Sequence, residues 1–183
     1  MNRRIGRKVS WFGFGIGIVL ASALTPARAA EPKVGDKAPE FKLMGSDGKT
    51  HDLSEYKGKS AVVLAWFPKA FTGGCTKECK SFAGAGESLR GLKVAYFTAS
   101  VDEPKLNKEF AESLNCDYPI LSDPDKSVAK AYGVVHEGRA VPERWTFYID
   151  KQGVIKAVDK KVNTDKAADD VAAKIKELGL AGE

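Results

Sequence analysis

"AVVLAWFPKAFTGGCTKEC" (Ala61–Cys79) joins seven apolar residues to a turn, and the turn to two cysteines four positions apart. A continuous β-branched run of this kind suits a strand buried on both faces, so Ala61–Phe67 reads as a central strand. Pro68 ends it, and a helix is expected to begin near Thr72, whose hydroxyl can cap the first turn. Cys75 then falls where unpaired amides and the positive end of the helix dipole favour an anion, and therefore a thiolate. In α/β sheets the ground just beyond the carboxyl end of a strand is where sites are built.

Outward from this stretch the patterns alternate. "LKVAYFTASV" (Leu92–Val101) is a second buried strand, and Leu106, Phe110 and Leu114 recur at the spacing of an amphipathic helix. "FKLMGSDGKTHDL" (Phe41–Leu53) places an Asp-Gly turn between two short runs, the signal of an N-terminal β-hairpin. "RWTFYID" and "VIKAV", separated by Lys151-Gln152-Gly153, predict a second hairpin. Ala168, Val171, Ile175 and Leu178 predict a closing helix, opened by Thr164 or Asp165 and stopped by Gly179. Glu31–Pro39 is polar, with Pro and Gly, and reads as a tether or a lead-in segment. Strands alternating with helices predict one α/β domain of three layers around a central mixed sheet.

The amino terminus reads differently. Arg3, Arg4, Arg7 and Lys8 precede an acid-free apolar stretch, Trp11–Leu24, and then Ala27-Arg28-Ala29. That is the layout of a secretory signal, and the stretch falls short of the ~20 residues that span a bilayer. Residues 1–30 are therefore expected to be a signal peptide, cleaved after Ala29 or Ala30. Residues 31–183 would be the exported domain, periplasmic or secreted, with no stable membrane association. The chain has 29 basic and 24 acidic residues, and five of the basic ones lie in this segment, so 29 less five leaves 24 against 24. A nearly neutral domain lacks the clustered positive charge that nucleic acid requires. Three cysteines, Cys75, Cys79 and Cys116, are an odd number for an oxidising compartment and point to redox or metal chemistry.

Pro68-x-x-x-Thr72-x-x-Cys75 resembles the active-site signature of the peroxiredoxins. With "VGDKAPEFKL", "VVLAWF", "YPILSDPDKSVAKAYGV" and "RWTFYID" in order and spacing, most of residues 34–160 is similar to the bacterioferritin-comigratory (Q-type) branch of that family. The resemblance implies a thioredoxin-like fold and a cofactor-free reduction of hydrogen peroxide or small organic hydroperoxides. It makes Cys75 the peroxidatic cysteine, with Thr72 bonding the peroxide, Pro68 shielding the site, Arg144 supplying fixed positive charge and Glu78 orienting the arginine. A thioredoxin-like or small-molecule thiol would be the reductant, and either a monomer or a dimer is compatible. Trp66 and Trp145 flank the site in sequence and read as core.

Q-type members commonly carry the resolving cysteine five residues after the first; here Cys79 follows by four. On an intact helix that spacing holds the Cβ atoms about 5–6 Å apart, against roughly 3.5–4.5 Å in a disulfide. A Cys75–Cys79 bond therefore implies local unwinding. Cys116 reads as a buried structural thiol at the entry to a strand, with resolution by Cys116 or by an external thiol left open. The rival reading is a Sco-like copper protein binding through Cys75, Cys79 and His136, since two thiolates and an imidazole suit copper. Against it, Lys80 rather than proline follows Cys79, and Thr72 and Arg144 would have no role. His136 otherwise reads as a solvated loop residue, and His51 has no evident partner.

Overall fold

A computed structural model describes residues 31–182; the expected signal peptide lies outside them. The strands are β1 (Lys42–Gly45), β2 (Thr50–Asp52), β3 (Val62–Trp66), β4 (Ala95–Ser100), β5 (Ile120–Ser122), β6 (Thr146–Ile149) and β7 (Ile155–Asp159). The helices are α1 (Gly73–Gly84), α2 (Gly86–Arg90), α3 (Pro104–Ser113), α4 (Ser127–Ala131) and α5 (Ala167–Glu177). One mixed sheet runs in the order β2-β1-β5-β4-β3-β6-β7. Its centre, β5-β4-β3, is parallel, and the two expected hairpins close its edges antiparallel.

Alternation along the buried central strand divides the core. Val63, Ala65 and Phe67 enter one cluster with Cys79 and Phe82 of α1, Phe110 of α3, and Val171 and Ile175 of α5. Val62, Leu64 and Trp66 enter the other, with Leu53, Tyr132, and Val128 and Ala129 of α4. Side chains on successive strand residues point to opposite faces, so an unbroken apolar strand needs a cover on each side. The three layers follow from that requirement.

Several local expectations change in context. Of the two readings of Glu31–Pro39, the structure has the lead-in segment and not the tether: the Gly35 N–H donates to Ile155 O and the Ile155 N–H to Asp36 O, each at 2.9 Å, while Tyr132 Oη donates to Pro39 O at 2.8 Å. The N-cap of α5 is Lys166, not Thr164 or Asp165, and Asp165 instead pairs with Lys77 of α1 at 3.1 Å. Gly179 does stop α5. Its φ of 62° lets its own N–H reach Lys176 O and the Leu180 N–H reach Ile175 O, the paired bonds of a Schellman ending. His51 has partners after all, Asp47 Oδ1 at 3.1 Å and the Tyr56 hydroxyl at 3.5 Å. Trp66 is fully buried, whereas Trp145 is only partly so and carries Lys160 Nζ 4.0 Å from its ring centre.

Candidate active site

Beyond the end of β3 the chain turns through Pro68–Phe71 into α1. Asp102, from the loop after β4, accepts the Ala70 N–H at 2.8 Å and pins this turn. Phe71 takes a left-handed φ of 60° and lies half exposed, its ring centre 5.0 Å from that of Phe110. Thr72 is the N-cap of α1 in position but not in bonding. Its hydroxyl donates back to Lys69 O at 2.9 Å rather than accepting from the helix. The first intrahelical bond runs from the Thr76 N–H to Thr72 O, so the amides of Gly73, Gly74 and Cys75 lie in the unpaired first turn.

Cys75, third in the helix, is buried beneath that turn. Arg144 Nη2 lies 3.2 Å from its sulfur. The arginine arrives because β6 pairs antiparallel with β3, Ala65 opposite Thr146 and the Trp66 N–H on Trp145 O, which sets the approach to β6 at the carboxyl end of β3. Its other amino group, Nη1, is bonded to Glu78 Oε2. Glu78 is one helical turn beyond Cys75, on the same face, and its side chain is wholly buried. Burial raises its carboxyl to about 7, although the adjacent guanidinium pulls it down. Arg144 itself is held above its usual range: burial works against its charge, and the Glu78 carboxylate and the Cys75 sulfur outweigh that. Gly74 makes room for this arrangement, since a Cβ there would stand 3.2 Å from Arg144 Nη2.

A sulfur at a helix start, facing a guanidinium that a buried carboxylate holds in place, is equipped for nucleophilic attack. The family model described as the AhpC/TSA family matches residues 34–158. The chain belongs to that family. Among its relatives, the putative peroxiredoxin bcp of Coxiella burnetii is 36% identical over 149 residues, 78% of this chain and 98% of that protein. Peroxiredoxin Bcp of Bacillus subtilis is 35% identical over 152 residues, 80% of this chain and 94% of that protein. The crystal structure of peroxidoxin BcpB from Mycobacterium tuberculosis superposes with a TM-score of 0.73 at 31% identity, covering 80% of this chain and 97% of that one. The chain is thus a peroxiredoxin of the Bcp/Q type, a thiol-dependent peroxidase with a thioredoxin-like fold.

Within this peroxiredoxin, the expected site residues fall into two groups. Pro68, Thr72, Cys75, Glu78 and Arg144 all sit on or against the turn into α1. Cys79 does not face that turn. It is fully buried on the sheet side of α1, its Sγ 3.9 Å from Thr98 Oγ1 and its carbonyl accepting from Tyr118 Oη at 3.0 Å. Burial, with Glu78 nearby, pushes its thiol far up. Cys116 is neither fully buried nor at a strand entry; it is partly buried in the loop after α3, four residues before β5. The copper reading fails on geometry as well as on kinship: among the described residues no three His, Cys, Asp or Glu side chains converge as a metal site. His136 instead pairs with Glu143 at 3.4 Å in an exposed loop.

Sequence reasoning did not single out Asp102, Tyr118 or Asn107. The fully buried Asn107 amide reaches Ser122 Oγ at 2.8 Å and Ser100 Oγ at 3.0 Å, tying α3 to β4 and β5. A polar residue among the apolar positions of a helix was the one available signal, and its partners lie on strands that only folding brings near.

Proposed function

We propose that Cys75 is the peroxidatic thiol of an exported peroxidase acting on hydrogen peroxide or small organic hydroperoxides. The observation that carries this is the 3.2 Å approach of Arg144 Nη2 to Cys75 Sγ. The Cys75 thiolate attacks the near oxygen of the peroxide, the O–O bond breaks, and the far oxygen leaves as hydroxide or alkoxide and takes up a proton. Cys75 becomes a sulfenic acid. Negative charge moves from sulfur toward the departing oxygen, so a fixed cation and first-turn amides at that point stabilise the transition state. Thr72 has committed its hydroxyl proton to Lys69 O, and toward a peroxide O–H its oxygen therefore acts as an acceptor. Pro68, in the turn between β3 and α1, is the residue that the family signature assigns to shielding the thiol.

Cys79 then condenses with the sulfenic acid, forming the disulfide and releasing water, once the first turns of α1 open. A thioredoxin-like or small-molecule thiol returns both sulfurs to the reduced state. Peroxide consumption at one equivalent tests the assignment: wild-type protein should react rapidly and Cys75→Ser should not, with an unchanged circular dichroism spectrum. Rapid reaction in that variant would remove Cys75 from the role. Export rests on the basic, apolar and small-residue layout of residues 1–30. Amino-terminal sequencing of the protein from a bacterial periplasm should begin at Ala30 or Glu31, and an intact Met1 start there would refute cleavage.

A further inference from the structure

The three thiols form a graded series from interior to surface. Cys75 and Cys79 are 1% and 0% exposed, whereas Cys116 is only partly buried. Cys116 packs against the same apolar cluster that holds Cys79. Between them stands Tyr118, whose hydroxyl donates to the Cys79 carbonyl at 3.0 Å and lies beside the thiols of both Cys79 and Cys116. On its outer side Cys116 lines an open cleft of about 460 Å³ with Asp47, Glu112, Asp117 and Tyr118. The cysteine sits where the chain leaves α3, its N–H bonded to Ala111 O and the preceding Asn115 in a left-handed turn with a φ of 51°. The mechanism has so far given this third thiol no part.

We infer that Cys116 is a relay thiol, which takes the disulfide from the buried Cys75–Cys79 pair and presents it to the reductant in the cleft. The inference rests on the peroxidase reading and adds one exchange to it. After Cys75 and Cys79 have joined, the Cys116 thiol gives up its proton to the cleft and its sulfur attacks Cys79 Sγ. The Cys79–Cys116 bond forms and the Cys75–Cys79 bond breaks. The electron pair leaves on Cys75 as a thiolate, and the cleft proton returns to solvent. No net oxidation occurs in this step, only transfer. A dithiol reductant then attacks Cys116, the cleft-lining sulfur of the new disulfide, and is itself oxidised as Cys79 and Cys116 are reduced.

Two physical reasons set the direction. Exchange favours departure of the sulfur whose thiolate is better stabilised, and Arg144 stands 3.2 Å from Cys75, so attack on Cys79 expels Cys75. Access gives the second reason. Cys116 lines an open cleft in the folded chain, whereas the Cys75–Cys79 pair is reached only while the first turns of α1 stay unwound, and exchange requires that the attacked sulfur be reached.

The test is time-resolved peptide mapping of the full-length domain. Reduced protein receives one equivalent of hydrogen peroxide, is quenched with an alkylating reagent at successive times, and is digested without reduction. The expected order is a Cys75–Cys79 disulfide first, then a Cys79–Cys116 disulfide with Cys75 free to be alkylated. Cys116→Ser should consume its first equivalent at the wild-type rate, which also reports an intact fold, and stop at Cys75–Cys79. Its steady-state turnover with dithiothreitol should fall about ten-fold or more, because the reductant must then reach a disulfide within the unwound first turns of α1 rather than one at the open cleft. A wild-type protein that never shows Cys79–Cys116, one that joins Cys75 directly to Cys116, or a Cys116→Ser variant with undiminished turnover would each overturn the relay while leaving the peroxidase intact. Failure of the wild-type protein to consume the first equivalent would instead remove the peroxidase reading, and the relay with it.

Discussion

Arg144 and Glu78 meet across a separation of 66 residues, and their pairing sets one guanidinium nitrogen 3.2 Å from the Cys75 sulfur. The carboxylate is wholly buried and the arginine mostly so, with 21% of its side chain exposed. The orientation of the cation at the thiol is therefore held by a carboxyl group inside the core.

Replacing Arg144 with Met should slow peroxide consumption by about 10²-fold, the effect of losing one preorganised donor at a developing charge. The same change strands the Glu78 carboxylate. Unfolding by denaturant should show a loss of about 3 kcal/mol, the lower end for breaking a buried pair. The loss should be larger at pH 8 than at pH 6, because the carboxyl is charged above about 7. Equal stability loss at both pH values would mean that Glu78 stays neutral throughout.

Glu78 also makes the wild-type fold sensitive to pH. Its folded carboxyl is raised from 4.5 to about 7 by burial, against the pull of Arg144. Between those values the folded chain holds a proton that the unfolded chain has released. Stability from this group is therefore complete below 4.5 and lost as pH rises through 7, by on the order of 3 kcal/mol. Urea midpoints measured at several pH values should show this slope in wild-type protein and its removal in Glu78→Gln.

Gly74→Ala separates stability from activity. Alanine is favoured over glycine in a helix by roughly 0.5–1 kcal/mol. Its Cβ, however, would stand 3.2 Å from Arg144 Nη2, closer than ordinary contact, so the guanidinium must shift. The variant should melt no lower than wild type yet react with peroxide about ten-fold more slowly, as displaced donors lose transition-state stabilisation. An unaltered rate would show that the arginine tolerates displacement.

Cys79→Ser should keep the first peroxide reduction and lose the Cys75–Cys79 disulfide. Cys75 should then accumulate sulfinic acid under repeated peroxide. Intact-mass measurement distinguishes these species directly. A Cys79→Ser protein that still closes an intramolecular disulfide would transfer resolution to Cys116.

The elements of the fold were legible in the sequence because each is set by local periodicity. The apolar run Ala61–Phe67 names a two-sided strand, Asp47-Gly48 marks a hairpin, and the spacing of Leu106, Phe110 and Leu114 marks a helix. Thr72 and Cys75 were placed at a helix start by the same local signals. Capping was not, because the Thr72 hydroxyl has a competing acceptor, Lys69 O, within the turn.

The sequence by itself determined the α/β alternation, the helix start under Cys75 and, through its motif, the kind of chemistry. Tertiary structure alone decided what surrounds the sulfurs. The β3–β6 register carries Arg144 to Cys75, Asp102 reaches Ala70 from another loop, and the face of α1 that packs on the sheet turns Cys79 inward while the end of α3 leaves Cys116 partly in solvent. Periodicity is a property of neighbouring residues along one element. Distance, burial and charge pairing between elements arise only when separate hydrophobic faces pack together, and no residue in the chain states that outcome alone.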